Sequence, residues 1–210
     1  MGDVIPGQTK LAPLISLVLL GTFGVVTFGW RVWLQNRRTG SFGVRYSPHT
    51  PADWLSGIAL VSGVIAAVLA PVADMVGLLR RIEALDHSLG LVVGGTVFVA
   101  GFVLTIRAQF DLGDSWRIGV DPEEATTLMT EGVFRFVRNP VFSGITLVFA
   151  ALVLFVPSVL AAAGWILIAV GLEVQVRWVE EPYLRRLHGA RYREYAAAVG
   201  RFIPGVGRLG

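Results

Sequence analysis

Long apolar runs dominate this sequence and constrain its fold more than any other feature. Five runs have about the length that a helix needs to cross a bilayer: residues 11–30, 54–79, 88–106, 141–156 and 159–176. Hydrophobic residues make up 54% of the 210 residues and charged residues only 16%, a balance that soluble domains rarely show. The sequence therefore predicts an all-α integral membrane protein, with residues 1–210 forming a single domain of five transmembrane helices.

The last two runs are separated only by Pro157-Ser158, which predicts a helical hairpin. Its legs are of similar length, so Arg138 before the first leg and Glu180 after the second return to the same membrane face. Charges near hydrocarbon need partners or solvent, and we expect a functional site at this mouth of the hairpin. Interfacial anchoring by Arg and Trp side chains would also explain the charges. Glu173 lies seven residues before Glu180, and Arg177 is its expected partner.

Residues 181–199 are amphipathic and too polar to span, which predicts short cytoplasmic helices, interrupted at Gly189, that lie against the membrane and close the site. Residues 31–53, rich in Arg, Gly, Ser and Pro, are predicted to form a loop after the first span. Residues 107–139 form the longest polar stretch. Asp121-Pro122 in this stretch predicts a helix start and Gly132 its end, so we interpret the acids there as helix caps rather than metal ligands. Trp116 and the neighbouring Arg117 would hold an anionic head group or anchor the loop.

The distribution of basic residues predicts the orientation. Fifteen of the eighteen lie on the side of the C-terminus, which places that side in the cytoplasm and the N-terminus outside. Because these residues separate apolar runs, we expect membrane lipids as partners and no nucleic acid. The chain has no cysteine and only three scattered histidines, so no metal site is predicted. Gly90-x-x-x-Gly94 is compatible with a homodimer, although packing within the chain also explains it.

Four linked motifs occupy the C-terminal half. They are Gly132-x-x-Arg135-x-x-Arg138-Asn139-Pro140-x-Phe142-x-Gly144, Glu180-Glu181-x-x-Leu184, Gly189-x-x-Tyr192-x-x-Tyr195 and Arg201-Phe202-x-Pro204. Together they resemble the isoprenylcysteine carboxyl methyltransferase family, and phospholipid methyltransferases share the same half. The resemblance covers about residues 116–204. Family members usually have His and Tyr where this chain has Asn139 and Phe142.

The resemblance implies that about residues 107–204 bind S-adenosylmethionine at the cytoplasmic face and that a lipid substrate arrives from the bilayer. We predict Arg138, Glu180 and Glu173 as catalytic residues. The predicted cofactor-binding residues are Arg135, Arg138, Asn139, Pro140, Phe142, Gly144, Glu180, Glu181, Leu184, Tyr192 and Tyr195. The predicted substrate-binding residues are Trp116, Arg117 and Arg177. Arginine suits the cofactor's carboxylate, and acids or aromatic faces suit its sulfonium.

The sequence leaves the acceptor open, as a lipid-borne carboxylate, amine or hydroxyl. Two other functions also remain possible at this point. A membrane reductase of the sterol-reductase type would use NADPH and has a similar C-terminal half. A small transporter or scaffold without enzymatic activity would not need Arg138 and Glu180 to converge.

Overall fold

A computed structural model describes residues 8–43, 48, 50–116 and 127–209, and this part of the chain is helical without strands. The helices are α1 (Gln8–Gly24), α2 (Arg31–Thr39), α3 (Pro51–Met75), α4 (Ser88–Leu112), α5 (Pro140–Phe155), α6 (Val159–Val174) and α7 (Glu181–Ala198). Single π-helical segments, Val25–Trp30 and Gln175–Glu180, join α1 to α2 and α6 to α7. Short 3-10 turns occupy Gly113–Ser115 and Gly132–Arg135.

Four helical stretches are long and apolar enough to cross a membrane: Leu11–Thr39, Pro51–Met75, Ser88–Leu112 and Val159–Ala198. The apolar helix α5 has 16 residues. Its length is therefore about 24 Å, somewhat less than the hydrocarbon thickness of a bilayer. These helices confirm the all-α integral membrane fold, whereas the number of five spans stays a prediction.

The predicted hairpin is present, with its turn at the predicted residues. Helix α5 ends at Phe155 and α6 begins at Val159. The hydroxyl of Ser158 accepts a hydrogen bond from the backbone N–H of Ala161 at 3.2 Å, which caps the second leg. The turn therefore returns the chain to the side on which α5 began.

Close packing between α4 and α5 fixes the position of the hairpin. A Cβ atom on Gly101 would lie 2.7 Å from the carbonyl oxygen of Gly144, so the two helices approach backbone to backbone. Near the other end of the same interface, a Cβ on Gly94 would lie 3.1 Å from the Cβ of Leu154. The Gly90-x-x-x-Gly94 motif thus packs within the chain and gives no argument for a homodimer.

Some helices end at residues other than the ends of the apolar runs. Residues 31–39 were expected to begin a loop, which was wrong because they form α2, and α4 continues beyond residue 106 to Leu112. Helix α3 ends at Met75, before residue 79, where the second apolar run ends. A helix that leaves hydrocarbon needs no further apolar residues, because its backbone groups stay paired within the helix.

The connection from α4 to α5 also differs from the expectation. The predicted helix start at Asp121 lies outside the described residues, as do all of residues 117–126. Residues 127–131 are not helical, so no helix extends to Gly132 as expected. Gly132 has a φ of 59° and instead begins the turn that leads into α5.

The C-terminal tail continues directly from α6 rather than separating from it at Pro182. The π-helical segment leads into α7, where Pro182 lies in the first turn and its missing N–H costs little. The predicted interruption at Gly189 is confirmed by its non-helical φ of 55° and ψ of −123°. Residues 199–209, which we call the strap, then fold back toward the start of α5.

Candidate active site

A cavity lies at the mouth of the hairpin, between the first residues of α5 and helix α7. The end of α4 and the turn Gly132–Arg135 complete its walls, and its volume is about 200 Å³. Nine sequence-predicted residues line it: Trp116, Arg138, Asn139, Pro140, Phe142, Glu180, Leu184, Tyr192 and Tyr195. The fold therefore brings residues from four separate stretches of the chain to one place.

Backbone hydrogen bonds to the strap hold the residues that precede α5. The N–H of Arg138 donates to the carbonyl of Gly200 at 2.8 Å, and the N–H of Asn139 donates to the carbonyl of Arg201 at 3.0 Å. The side-chain amide of Asn139 donates to the same Arg201 carbonyl at 3.2 Å. Pro140 then occupies the first helical position, where a backbone N–H would have no partner in any case. One wall of the cavity thus depends on the last residues of the chain.

A buried ion cluster of Arg138, Glu181 and Arg201 fastens the strap beside the cavity. The Glu181 carboxylate accepts hydrogen bonds from Arg138 Nη2 at 2.9 Å, from Arg201 Nε at 2.7 Å and from Arg201 Nη2 at 3.0 Å. Burial alone would raise the pKa of Glu181, but the hydrogen bonds from Arg201 and Arg138 lower it below its ordinary value. The carboxylate is therefore ionised at neutral pH and is committed to the two guanidinium groups.

Arg138 both lines the cavity and holds the strap. Its Nη1 donates to the carbonyl of Ala196 at 3.0 Å and to that of Val199, while Nη2 also donates to the carbonyl of Gly207 at 3.1 Å. Its Nε is buried and has no acceptor among the described residues. The N–H on Nε is thus the one donor of Arg138 that is committed neither to Glu181 nor to the strap.

Aromatic side chains form much of the cavity wall: Trp116, Phe134, Phe142, Tyr183, Tyr192 and Tyr195. The hydroxyl of Tyr195 donates to the carbonyl of Phe134 at 2.6 Å, and its ring contacts that of Tyr192 edge to face at 6.4 Å between centroids. Burial raises the pKa of Tyr192 to about 12 and also raises the pKa of Tyr195, so both phenols are neutral at physiological pH. Glu180 is the one carboxylate among the described residues that line the cavity.

Arg31, the first residue of α2, supports the cavity from outside. Its guanidinium lies over the ring of Trp116, 4.9 Å from the centroid, and donates to Gln35 Oε1 at 3.1 Å and to the carbonyl of Gly113. Only 3% of Arg31 is exposed. Its position just after an apolar run suggested an interfacial loop residue, and nothing in the sequence indicated its burial against Trp116.

Three predicted site residues lie outside the cavity, on or beside a second groove. Glu173 and Arg177 form the expected ion pair, with 2.7 Å between Glu173 Oε2 and Arg177 Nε, and Glu173 lines that groove. The guanidinium of Arg135 lies over the ring of Phe136 at 4.6 Å, and Phe136 lines the same groove. The structure does not bring Glu173, Arg177 or Arg135 to the aromatic cavity.

The remaining predicted residues have other positions. Gly144 packs against α4, Glu181 is committed to the ion cluster, and Arg117 lies outside the described residues. Sequence reasoning missed eight lining residues: Leu112, Ser115, Thr127, Leu128, Met129, Phe134, Val141 and Tyr183. Phe134 could have been predicted from its position four residues before Arg138. Most of the others are ordinary apolar residues, and no sequence signal marks them.

Comparison with known proteins agrees with this geometry. Residues 89–191 match the family model described as phospholipid methyltransferase. The match covers 103 of the 210 residues, just under half of the chain, and shows a likeness to that family. The matched region contains α4, the hairpin and the first half of α7, and thus most of the cavity wall. The predicted relation to the integral membrane methyltransferases is therefore confirmed.

The whole fold has a relative among solved structures. It is similar to the eukaryotic intramembrane Ras methyltransferase ICMT (isoprenylcysteine carboxyl methyltransferase), with a TM-score of 0.67 and 17% sequence identity. The match covers 99% of this chain and 71% of that one, and at this identity it shows a shared fold. No curated protein matches the sequence. The phospholipid methyltransferase region thus lies within a fold that ICMT shares.

Proposed function

We propose that the aromatic cavity binds S-adenosylmethionine and that the protein transfers its methyl group to a lipid-borne acceptor at the cytoplasmic membrane face. One observation carries the proposal. Eight residues from three of the four methyltransferase-like motifs, which are distant in sequence, line a single cavity at the mouth of a membrane hairpin. A transporter or scaffold would not require that convergence.

The cavity offers a suitable contact for each part of the cofactor. Aromatic faces together with the Glu180 carboxylate suit a sulfonium cation. The N–H on Nε of Arg138 suits the carboxylate of the amino-acid end, as a charge-assisted hydrogen bond. Apolar side chains such as Leu128 and Met129 suit the flat face of adenine.

When bound, S-adenosylmethionine supplies an electrophilic methyl group on its sulfonium. The residues of the chain hold donor and acceptor in line and exclude water, and such alignment lowers a barrier by on the order of several kcal/mol. Trp116 and Tyr192, which are 3% and 2% exposed, provide dry walls for this purpose. A carboxylate acceptor would need no base, whereas an ammonium acceptor would lose its proton to Glu180.

The distribution of charge supports the cytoplasmic face. The cavity lies on the side of the membrane that carries fifteen of the eighteen basic residues, and such residues concentrate in the cytoplasm. The cytoplasm is also the compartment in which nucleotide-derived cofactors are made. A lipid acceptor would then reach the cavity from the inner leaflet.

Calorimetric titration of the purified protein with S-adenosylmethionine, S-adenosylhomocysteine and NADPH tests the proposal. We expect the first two to bind and NADPH not to bind. Binding of NADPH alone would support the reductase alternative. Absence of binding by all three would support a transporter or scaffold.

A pair of variants then locates the binding site. Phe142→Ala removes a ring from the cavity, and loss of a cation–π contact should weaken S-adenosylmethionine binding about two- to thirty-fold. Phe136→Ala is the matched control, because this ring lies nearby on the groove instead. Equal affinity in both variants would show that the cofactor binds elsewhere.

A further inference from the structure

The second groove, of about 550 Å³, lies on the other side of the segment that precedes α5. Leu104 of α4, Leu147 of α5, Ala169 of α6 and Ile203 of the strap contribute to its walls. Leu147 is seven residues into α5, so the groove runs roughly 10 Å along this apolar helix from its start. With α5 in the membrane, as the sequence predicts, the groove is open to lipid chains.

The polar side chains of the groove, apart from Glu173, are already satisfied by the protein. The hydroxyl of Ser143 donates to the carbonyl of Phe202 at 2.7 Å. The hydroxyl of Thr146 donates to the carbonyl of Phe142 at 2.9 Å. The remaining lining side chains are hydrocarbon or aromatic. The interior of the groove therefore suits an acyl chain and offers little to a polar ligand.

The rim of the groove carries an excess of positive charge. Glu173 and Phe136 both line the groove. Arg177 forms an ion pair with Glu173, and the guanidinium of Arg135 lies over the ring of Phe136. Two guanidinium groups thus accompany one carboxylate. Arg177 uses two of its five N–H donors on Glu173, so the others are available to a phosphate. The exposed Trp178 beside it is a typical residue of the membrane interface.

We infer that this groove is a binding site for an anionic glycerophospholipid, with an acyl chain inside the groove and the phosphate between Arg135 and Arg177. The site is separate from the aromatic cavity. Phe134 and Arg138 line the cavity, whereas Val133 and Val137 of the same segment line the groove, so this segment is a wall between them. The bound lipid is not the methyl acceptor.

Native mass spectrometry of the delipidated protein, titrated with dioleoylphosphatidylglycerol or dioleoylphosphatidylcholine in detergent, tests this inference. The wild-type chain should retain one molecule of the anionic lipid with a preference of roughly thirtyfold, the size expected when two basic residues meet an anionic head group. The double variant R135Q/R177Q should lose the preference. Both arginines are exposed, so this variant should keep the thermal stability of the wild type.

A second pair of variants tests the position of the acyl chain. Ala169→Phe fills the groove and should abolish lipid retention, whereas Ile166→Phe, one turn away on an exposed part of α6, should retain the lipid. Lipid retention by Ala169→Phe, or equal retention of both lipids by the wild type, would overturn the inference. It would also be overturned if the retained lipid gained the mass of a methyl group when S-adenosylmethionine was added. Cofactor affinity should be the same in all these variants, which separates this test from that of the proposed function.

Discussion

Replacing Glu181 by Gln tests the ion cluster that fastens the strap to the start of α5. The change preserves side-chain size but removes the negative charge that Arg138 and Arg201 share at 2.7 to 3.0 Å. All three residues are buried, and removal of one partner from a buried pair costs about 3–5 kcal/mol. Because each 1.4 kcal/mol is tenfold, opening of the strap should become about 100- to 4,000-fold more frequent.

Hydrogen exchange measured by mass spectrometry reports this opening directly. The N–H groups of Arg138 and Asn139 donate to carbonyl groups of the strap, so they exchange only when the strap opens. Glu173→Gln is the matched control, because it makes the same chemical change in an exposed ion pair worth less than about 1 kcal/mol. If Glu181→Gln left exchange at residues 138 and 139 as slow as in the control, the strap would not depend on the cluster.

Four further outcomes are expected. Deleting the chain after Gly189 should abolish S-adenosylmethionine binding in calorimetry, since Tyr192 and Tyr195 form part of the cavity wall. The shortened protein should still insert into the membrane, and undiminished binding would show that the tail is only a surface anchor. The pKa of Glu181 is lowered in the folded protein, so its carboxylate stabilises the closed strap above the ordinary pKa and this contribution is lost as the pH falls through the lower, folded value. Proteolysis of the strap should then increase in acid in the wild type but not in Glu181→Gln. Tyr195→Phe removes the 2.6 Å hydrogen bond to Phe134 and should lower the free energy of unfolding by about 1 kcal/mol, and an unchanged melting temperature would contradict this. A reporter fused to the C-terminus should be active only in the cytoplasm, and activity outside would reverse the orientation.

The membrane helices were predictable because hydrocarbon imposes a length and a composition on any segment that crosses it. Pro157-Ser158 likewise located the hairpin turn. The ends of the helices were not predictable by the same rule, since a helix can continue into water with polar side chains. Residues 31–39 illustrate this point: they are polar and were assigned to a loop, yet they form a helix that buries Arg31.

The site was predictable as a group of motifs, but the role of each residue was not. Glu180 and Glu181 are adjacent, and neighbouring side chains on a helix point about 100° apart, so only one of them can line the cavity. The structure assigns Glu180 to the cavity and Glu181 to the ion cluster. Arg201 is twenty residues from Glu181 in sequence, and only the path of the strap brings the two together.

The central claim is that S-adenosylmethionine binds in the aromatic cavity at the mouth of the hairpin. An experimental structure of the protein with S-adenosylhomocysteine tests it most directly. The account predicts that the ligand lies among Trp116, Phe142 and Tyr195, with its carboxylate at Nε of Arg138. A ligand bound in the second groove, or anywhere apart from these residues, would contradict the account.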